Sequence, residues 1–167
     1  GRGIENIIFA LHQVEGGALV LMGWGKIEAD LKALVALEKL TERVYFLPPV
    51  SQAELLNWSS SADIGVIPYR AISLNNYYSC PNKLFEYICA GIVVAGSNFP
   101  EIKKIIETRE LGATFDPENS SSIAETINRI LASPERYQTM RKNAQQARTH
   151  LNWESQEKEL MTVYQNL

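Results

Sequence analysis

Long apolar runs and blocks of like charge are both missing from this 167-residue chain. No apolar run approaches the roughly 18 residues that a membrane-spanning helix needs. Acidic and basic residues are mixed along the chain, and the formal net charge is −3. Broad binding to nucleic acid requires a basic surface. The composition therefore predicts a globular protein with no nucleic-acid partner.

Residues for metal binding and nucleophilic catalysis are also scarce. The cysteines Cys80 and Cys89 do not have a metal-binding spacing, and we expect both to be free thiols. The histidines His12 and His150 stand near opposite ends of the chain, in helical patterns. No serine lies in a nucleophile elbow. The sequence thus predicts no metal site and no cofactor, and it identifies no catalytic residue.

What the chain does contain is a regular alternation of short apolar runs with helical patterns. The apolar runs cover residues 18–22, 44–47, 63–67, 92–95 and 113–115. Strands that alternate with helices build a parallel sheet with helices on both faces. The pattern predicts one α/β domain over residues 1–167, with a Rossmann-like sheet. The segment 69–79 has no clear periodicity and is expected to be a loop.

The beginning of the sequence departs from this alternation. Residues 4–14 carry apolar side chains at positions i, i+3, i+4 and i+7, which indicates an amphipathic helix. A strand would be expected before it. We therefore expect the first strand of the sheet to precede Gly1, and this chain to be a fragment of a larger protein.

The segment 79–91 contains the strongest local signals. Pro81 suits the first turn of a helix, and Gly91 suits the left-handed position after its end. Lys83 falls in the first turn, where the partial positive charge of the helix disfavours a cation unless an anion such as a phosphate binds there. The alternative interpretation is a solvated lysine that pairs with Glu86, three residues later.

A candidate binding site follows from the order of these elements. Loops at the carboxyl ends of parallel strands meet at one edge of a sheet, where open α/β folds bind ligands. These loops begin near Gly23, Leu47 and Pro68. Their polar groups are hydroxyls, backbone N–H groups and the Glu86 carboxylate. Such groups suit a ligand with a phosphate and a diol, in which Glu86 accepts hydrogen bonds from a ribose.

The same segment resembles a known family. Residues 79–91 read S-C-P-N-K-L-F-E-Y-I-C-A-G, which is similar to the P-N-K-L-F-E-Y-x-x-A-G segment of retaining GT-B glycosyltransferases of the family 4 group. Weaker matches to other motifs of this family occur, in the family's order along the chain, at residues 2–4, 62–68, 100–102, 152–153 and 164–167. The resemblance implies the C-terminal, donor-binding half of a two-domain GT-B enzyme.

The resemblance also implies roles for individual positions. Glu86 would bind the donor ribose. The donor phosphates would be bound by Arg2, Asn82, Lys83 and Leu84. The vicinity of the base would be formed by Gly23, Tyr45, Phe46 and Leu47. Tyr78 and Ser79 would lie by the transferred sugar, although the first glutamate of the family's E-x7-E motif is replaced here by Tyr78.

For the whole enzyme, the resemblance implies a retaining, metal-independent glycosyltransferase of hexosyltransferase type. The donor would be a UDP- or GDP-sugar, and the acceptor a glycan or lipid-linked molecule, as in polysaccharide biosynthesis. The acceptor would bind through an N-terminal domain outside this chain, so the 167 residues alone are expected to be inactive. The enzyme would be cytoplasmic, with peripheral association at the inner face of the membrane as a further expectation.

Two alternatives stay open at this point. A nucleotide-sugar epimerase would share the fold and the donor site. A non-catalytic α/β binding module would instead use Lys83 and Glu86 as a surface pair.

Overall fold

The computed structural model describes residues 1–165, so the last two positions of the closing motif match lie outside the described residues. The chain alternates strands and helices as predicted. The strands are β1 (Leu19–Met22), β2 (Val44–Leu47), β3 (Ile64–Ile67), β4 (Val93–Ser97) and β5 (Gly112–Phe115). The helices are α1 (Ile4–Ala10), α2 (Glu28–Leu37), α3 (Gln52–Ser60), α4 (Leu74–Tyr78), α5 (Asn82–Ala90), α6 (Pro100–Thr108), α7 (Ser120–Leu131), α8 (Pro134–Ala147) and α9 (Trp153–Gln165).

The strands form two parallel sheets. β1 pairs with β2 in one sheet, and the other has the order β3-β4-β5. Leu19 lies opposite Val44 in the first sheet, and Ile64 lies opposite Val93 in the second. The predicted parallel pairing is confirmed. The Rossmann-like α/β class with helices on both faces is also confirmed. Within residues 1–165, β1 and β3 are not hydrogen-bonded to each other, so the strands form two sheets.

Helices cover both faces of the three-stranded sheet, as predicted. Successive side chains of a strand point to opposite faces. In β4, Val93 and Ala95 accordingly pack with residues of α1, α2 and α7, whereas Val94 packs with residues of α5, α6 and α8. The side chains of Val93, Val94 and Ala95 are all fully buried. β4 is therefore the strand at the centre of the core.

The predicted loop 69–79 contains a short helix, α4, and this prediction was wrong. Ser73 caps the helix, since its Oγ accepts a hydrogen bond from the N–H of Asn76 at 3.2 Å. A helix of five residues is too short to show a 3.6-residue period in the sequence. Its formation depends on the cap and on tertiary packing instead.

α5 packs on β3 through a contact between Tyr87 of the helix and Gly65 of the strand. Leu84 and Ile88 of α5 are fully buried. The ring of Tyr87 lies against Gly65, where an added Cβ atom would be 2.4 Å from the ring carbons. Gly91 ends the helix with a φ of 71°, in the left-handed region that was predicted for it. Gly65 therefore fixes the distance between β3 and α5.

Burial of Tyr87 also changes its chemistry. Burial, with smaller contributions from Glu86 and Tyr69, raises the pKa of Tyr87 to about 12. Loss of the phenol proton would place a negative charge at the contact between α5 and β3. Ionisation of this phenol is therefore disfavoured in the folded state.

The remaining expectations concern cysteines, metals and membranes. Cys80 and Cys89 are free thiols, as predicted, and burial raises the pKa of both. In the part of the chain that the structure describes, no group of three or more histidine, cysteine or acidic residues is arranged to hold a metal ion. Within residues 1–165, no helix is both long enough and apolar enough to cross a bilayer.

We predict that Gly65→Ala destabilises the protein, because the new methyl group would overlap the Tyr87 ring. The expected loss is about 1–3 kcal/mol in the free energy of unfolding, measured by urea titration. Gly25→Ala is the matched control, since a Cβ atom there meets nothing within 4 Å. Equal effects of the two substitutions would show that the contact does not set the position of α5.

We also predict that stability falls as the pH rises from 10 towards 12. In this range the unfolded state releases the Tyr87 proton while the folded state keeps it, because the pKa in the folded state is about 12. The stabilisation from the neutral Tyr87 phenol is fully present below pH 10. The free energy of unfolding should fall by roughly 1 kcal/mol between pH 10 and 11. Urea titrations of wild type and Tyr87→Phe at both pH values measure it. An equal fall in the free energy of unfolding for the two proteins would show that Tyr87 is not the group responsible.

Candidate functional site

The first three residues are held against the segment that follows β3. The C=O of Gly1 accepts a hydrogen bond from the N–H of Arg70 at 3.0 Å. Gly3 has a φ of 64°, and a Cβ atom there would lie 2.1 Å from the C=O oxygen of Pro68. Only glycine fits this position without strain. Arg2, between the two glycines, is thereby placed at the carboxyl end of β3.

The Arg2 side chain is exposed at this edge. Its Cζ atom lies 6.0 Å from the centre of the Tyr69 ring, in cation–π geometry. Among residues 1–165, no carboxylate forms an ion pair with it. The guanidinium charge is therefore not neutralised, which agrees with the predicted role of Arg2 in binding an anion.

A buried serine fixes the turn between β3 and this edge. The Ser97 hydroxyl lies 3.0 Å from the C=O oxygen of Ile67 and 2.7 Å from that of Tyr69, and donates to them. Ser97 is completely buried at the end of β4. The sequence analysis missed this residue, since it placed position 97 after the strand. A hydroxyl directly after an apolar run was the available signal.

α4 carries an aromatic cluster to the start of α5. The Tyr77 ring is 4.9 Å from the Tyr78 ring in an edge-to-face arrangement, and 5.1 Å from the Phe99 ring. Tyr78 itself is 59% exposed. The Ser79 hydroxyl donates to the C=O of Asn76 at 3.0 Å. Tyr78 and Ser79, the residues predicted to lie on the sugar side, thus directly precede the α5 N-terminus.

The N-terminus of α5 has no side-chain cap. Pro81 occupies the N-cap position rather than the predicted first turn, and no side chain accepts a hydrogen bond there. The N–H of Leu84, one of the predicted phosphate contacts, donates to the C=O of Pro81 at 2.9 Å. The N–H groups of Asn82 and Lys83 have no acceptor among the described residues. Two backbone donors are therefore directed out of the helix end.

Lys83 and Glu86 do not form the surface pair of the alternative interpretation. No ion pair or side-chain hydrogen bond joins them within residues 1–165, and neither side chain bonds to another described residue. Both side chains are half-buried. The alternative Lys83–Glu86 pair is therefore not formed, and both polar groups are free to bind a ligand.

The residues predicted to lie near the base are only partly brought together. The N–H of Gly23 donates to the C=O of Leu47 at 3.0 Å, so these two backbones meet at the carboxyl ends of β1 and β2. The hydroxyl of Tyr45 donates back to the C=O of Glu42 at 3.0 Å. The Tyr45 side chain therefore points towards the opposite end of β2. Only backbone groups of this strand are placed to approach a base.

Phe46 is also engaged away from this edge. Its ring packs against the hydrophobic core and lies 5.3 Å from the Lys32 ammonium group. The Phe46 side chain thus helps to hold α2 on β2. It has no role in the candidate site beyond its backbone.

One ion pair at the carboxyl edge was not predicted. Arg70, after β3, binds both carboxylate oxygens of Glu118, after β5, with a shortest distance of 2.7 Å. The hydrogen bond from Arg70 lowers the pKa of Glu118. The Asn6 side chain donates to the neighbouring Pro117 C=O at 2.6 Å. The loops after β3 and β5 are thereby tied to each other and to α1.

The candidate site is an open surface rather than a cavity. A cavity of about 300 Å³ lies beside β5, between α6, α7 and α8, and is lined in part by Glu107, Thr114, Arg129 and Arg136. It contains none of the predicted site residues. Besides the Arg70–Glu118 pair, the carboxyl edge presents backbone N–H groups and the side chains of Arg2, Lys83 and Glu86, which form no ion pair within residues 1–165 and suit an anion that also carries hydroxyl groups.

Comparison with known proteins agrees with this arrangement. Residues 2–147 match the family model for glycosyl transferases group 1. No curated protein matches the chain in sequence. The structure is similar to sucrose-phosphate synthase from Thermosynechococcus elongatus, with a TM-score of 0.82 and 25% identity over 99% of this chain and 42% of that chain.

Two further structures are similar. HepE from Anabaena, in complex with UDP, matches with a TM-score of 0.85 and 17% identity over 99% of this chain and 46% of that chain. The C-terminal domain of a glycosyl transferase group 1 family protein (LpcC) from Francisella tularensis matches with a TM-score of 0.63 and 19% identity. That match covers 84% of this chain and 72% of the other.

The present chain spans less than half the length of the synthase and of HepE. Its parallel sheets and flanking helices have the fold of one domain of a GT-B glycosyltransferase. The family model covers most of its residues. This chain belongs to the glycosyl transferases group 1 family.

Proposed function

We propose that this domain binds a nucleoside-diphosphate sugar, either a UDP- or a GDP-sugar, at the carboxyl edge of its sheets. The observation that carries the proposal is the N-terminus of α5. Its first two N–H groups have no acceptor in the described chain, and its first turn contains a lysine without an ion-pair partner. Family membership supports the proposal, as does the UDP bound in the HepE structure.

The diphosphate is assigned to Arg2, Lys83 and the N–H groups of Asn82 and Lys83. A helix N-terminus binds phosphate through its free N–H groups and its partial positive charge. Lys83 adds a full charge at the same end. Arg2 adds a second charge, because Gly1 and Gly3 hold it beside Tyr69. The N–H of Leu84 contributes only if the phosphate shares it with Pro81.

The ribose is assigned to Glu86. This residue lies one turn beyond Lys83, about 4.5 Å farther along the helix axis. The side chain has no hydrogen-bond donor among the described residues, so both carboxylate oxygens can accept bonds from the two ribose hydroxyls. One helix would thus hold the phosphate at its end and the ribose on its side. The base would lie against the backbone at Gly23 and Leu47.

The reaction that we propose is transfer of a hexosyl group with retention to a glycan or lipid-linked acceptor. Negative charge develops on the diphosphate as the glycosidic bond breaks, and the helix end, Lys83 and Arg2 are placed to stabilise it. Tyr78 and Ser79 would border the transferred sugar. The acceptor would be positioned by a second domain, so catalysis depends on the orientation of two bound substrates. We assign the reaction to the cytoplasm.

We predict that Glu86→Ala removes discrimination between ribose and dideoxyribose. Wild type should bind UDP or GDP at least tenfold more tightly than the corresponding 2′,3′-dideoxynucleoside diphosphate, since hydrogen bonds to a charged group contribute about 1.5–3 kcal/mol. Glu86→Ala should bind both compounds equally. Isothermal titration calorimetry with UDP, GDP, ADP and the dideoxy forms measures this. Glu125→Ala, on the exposed face of α7, is the matched control.

Lys83→Ala should weaken binding of the ribo- and dideoxy compounds by a similar factor, roughly tenfold, because it acts on the phosphates. Lys104→Ala, on the surface of α6, should leave both affinities unchanged. Binding that is unaffected by either site substitution would remove the assignments. Absence of binding to any of the three nucleotides by the full-length protein would overturn the proposed function.

We predict that the isolated 167 residues do not transfer sugar, because the groups that orient an acceptor are assigned to another domain. The assay follows release of nucleoside diphosphate from UDP- and GDP-sugars in the presence of glycan and lipid-linked acceptors. The full-length protein is the positive control, and analysis of its products separates a transferase from an epimerase. Turnover by the isolated chain at the rate of the full-length protein would contradict the prediction.

A further inference from the structure

A cavity of about 300 Å³ lies beside β5, which pairs only with β4 among the described strands. This volume is at the lower end of the range for small-molecule sites in proteins. The buried Met140 of α8 and Ala113 of β5 border the cavity. Four charged side chains also line it, namely Glu107 and Glu110 at and after the end of α6, Arg129 near the end of α7 and Arg136 near the start of α8. The cavity therefore lies towards the amino end of β5, where α6 and α7 end and α8 begins.

The two arginines share this cavity without a counter-charge. Arg129 and Arg136 also line one smaller recess beside Ala113 and Met140. Within residues 1–165, neither guanidinium forms an ion pair with a carboxylate. Arg129 donates a hydrogen bond to the Thr126 hydroxyl at 3.3 Å, whereas the Arg136 side chain bonds to no described residue. Because like charges repel each other, an anion bound between the two arginines would stabilise them in this position.

The edge of β5 adds backbone donors to the same cavity. Val94 of β4 lies opposite Gly112, and the N–H of Val94 donates to the C=O of Leu111. In a parallel ladder, the residue opposite a bonding residue directs its own backbone groups to the other side. The N–H groups of Gly112 and Thr114 therefore point away from β4, and both residues line the cavity. Neither N–H has an acceptor in the described part of the chain.

The two glutamates differ in how they are bonded. The Glu107 carboxylate accepts a hydrogen bond from the Thr114 hydroxyl at 2.8 Å, and it lies 4.0 Å from the Lys103 ammonium group. The Glu110 carboxylate has no partner among residues 1–165. An ionised carboxylate only accepts hydrogen bonds. The cavity thus combines one free acceptor with two free cations and two free N–H donors.

We propose that this cavity binds a small phosphate monoester that also carries hydroxyl groups, such as a polyol phosphate. The phosphate lies between Arg129 and Arg136 and accepts hydrogen bonds from the N–H groups of Gly112 and Thr114. A guanidinium binds two phosphate oxygens through parallel N–H bonds, and a phosphate dianion balances two arginines, whereas a monocarboxylate would balance one. A hydroxyl group of the ligand donates to Glu110. This inference does not depend on the proposed donor.

Calorimetric titration of the full-length protein with sn-glycerol 3-phosphate tests the proposal. We expect it to bind roughly tenfold more tightly than inorganic phosphate, because only the ester supplies a hydroxyl group to a charged acceptor. Absence of binding, or an affinity no higher than that of inorganic phosphate, would overturn the proposal.

Substitution of the arginines tests the phosphate position. Arg129→Ala and Arg136→Ala should each weaken binding of glycerol 3-phosphate and of inorganic phosphate by roughly tenfold. Lys142→Ala, which removes one positive charge from the exposed surface of α8, is the matched control and should leave both affinities unchanged. If Lys83→Ala abolishes binding and the arginine variants do not, the compound binds at the start of α5 and the proposal is wrong.

Glu110→Ala tests the hydroxyl position. The preference for glycerol 3-phosphate over inorganic phosphate should fall from roughly tenfold to about twofold or less, since the free acceptor is lost. Glu125→Ala, on the exposed face of α7, should keep the preference of the wild type. An unchanged preference in Glu110→Ala would overturn the assignment of the hydroxyl group.

Amide spectra of the wild-type, full-length protein cover the case in which an arginine variant unfolds. On addition of glycerol 3-phosphate, the ¹H–¹⁵N signals of Gly112 and Thr114 should shift farther than those of Asn82 and Lys83 at the start of α5. Shifts that are equal at the two places, or larger at Asn82 and Lys83, would overturn the proposal.

Discussion

The contact between Tyr87 and Gly65 determines where the candidate site lies. Because Gly65 has no side chain, the Tyr87 ring rests directly on β3, and the buried Leu84 and Ile88 prevent α5 from rotating. Once the axis and rotation of α5 are fixed, helical geometry decides the rest. The N-terminus points to the carboxyl edge, and Lys83 and Glu86 lie on the side away from the core. The position of the proposed ribose-and-phosphate site thus depends on the packing of one glycine.

The charged side chains at this edge are of two kinds, those paired with each other and those without a partner. Arg70 and Glu118 neutralise each other across the loops after β3 and β5, and this exposed pair contributes little to stability. The pair instead joins the loop after β5 to the segment after β3, which holds the residues on either side of Arg2. Arg2 and Lys83 have no carboxylate partner among residues 1–165. The proposed diphosphate would therefore meet two cations and a helix N-terminus without first displacing a protein carboxylate.

The sequence predicted the elements that have a clear local signal. Each predicted strand was found, and the helix over residues 82–90 ends at Gly91 as expected. The features that the sequence did not predict depend on tertiary contacts. α4 has five residues, too few for a helical period to be seen in the sequence, and Ser97 acts through carbonyl groups 28 and 30 residues away. Spacing alone also could not decide whether Lys83 pairs with Glu86, because residues three apart can interact or diverge according to side-chain packing.

The open form of the candidate site has a consequence for catalysis. Phosphate charges on an exposed edge are screened by water, so cations there bind them weakly. The same cations stabilise a leaving group far more strongly when a second body excludes water. Among the described residues, Arg2, Lys83, Glu86 and the backbone donors at the start of α5 form the proposed site, and the two cations have no carboxylate partner. The proposed site is therefore an open, preorganised surface whose cations would act more strongly on a bound anion if water were excluded from it.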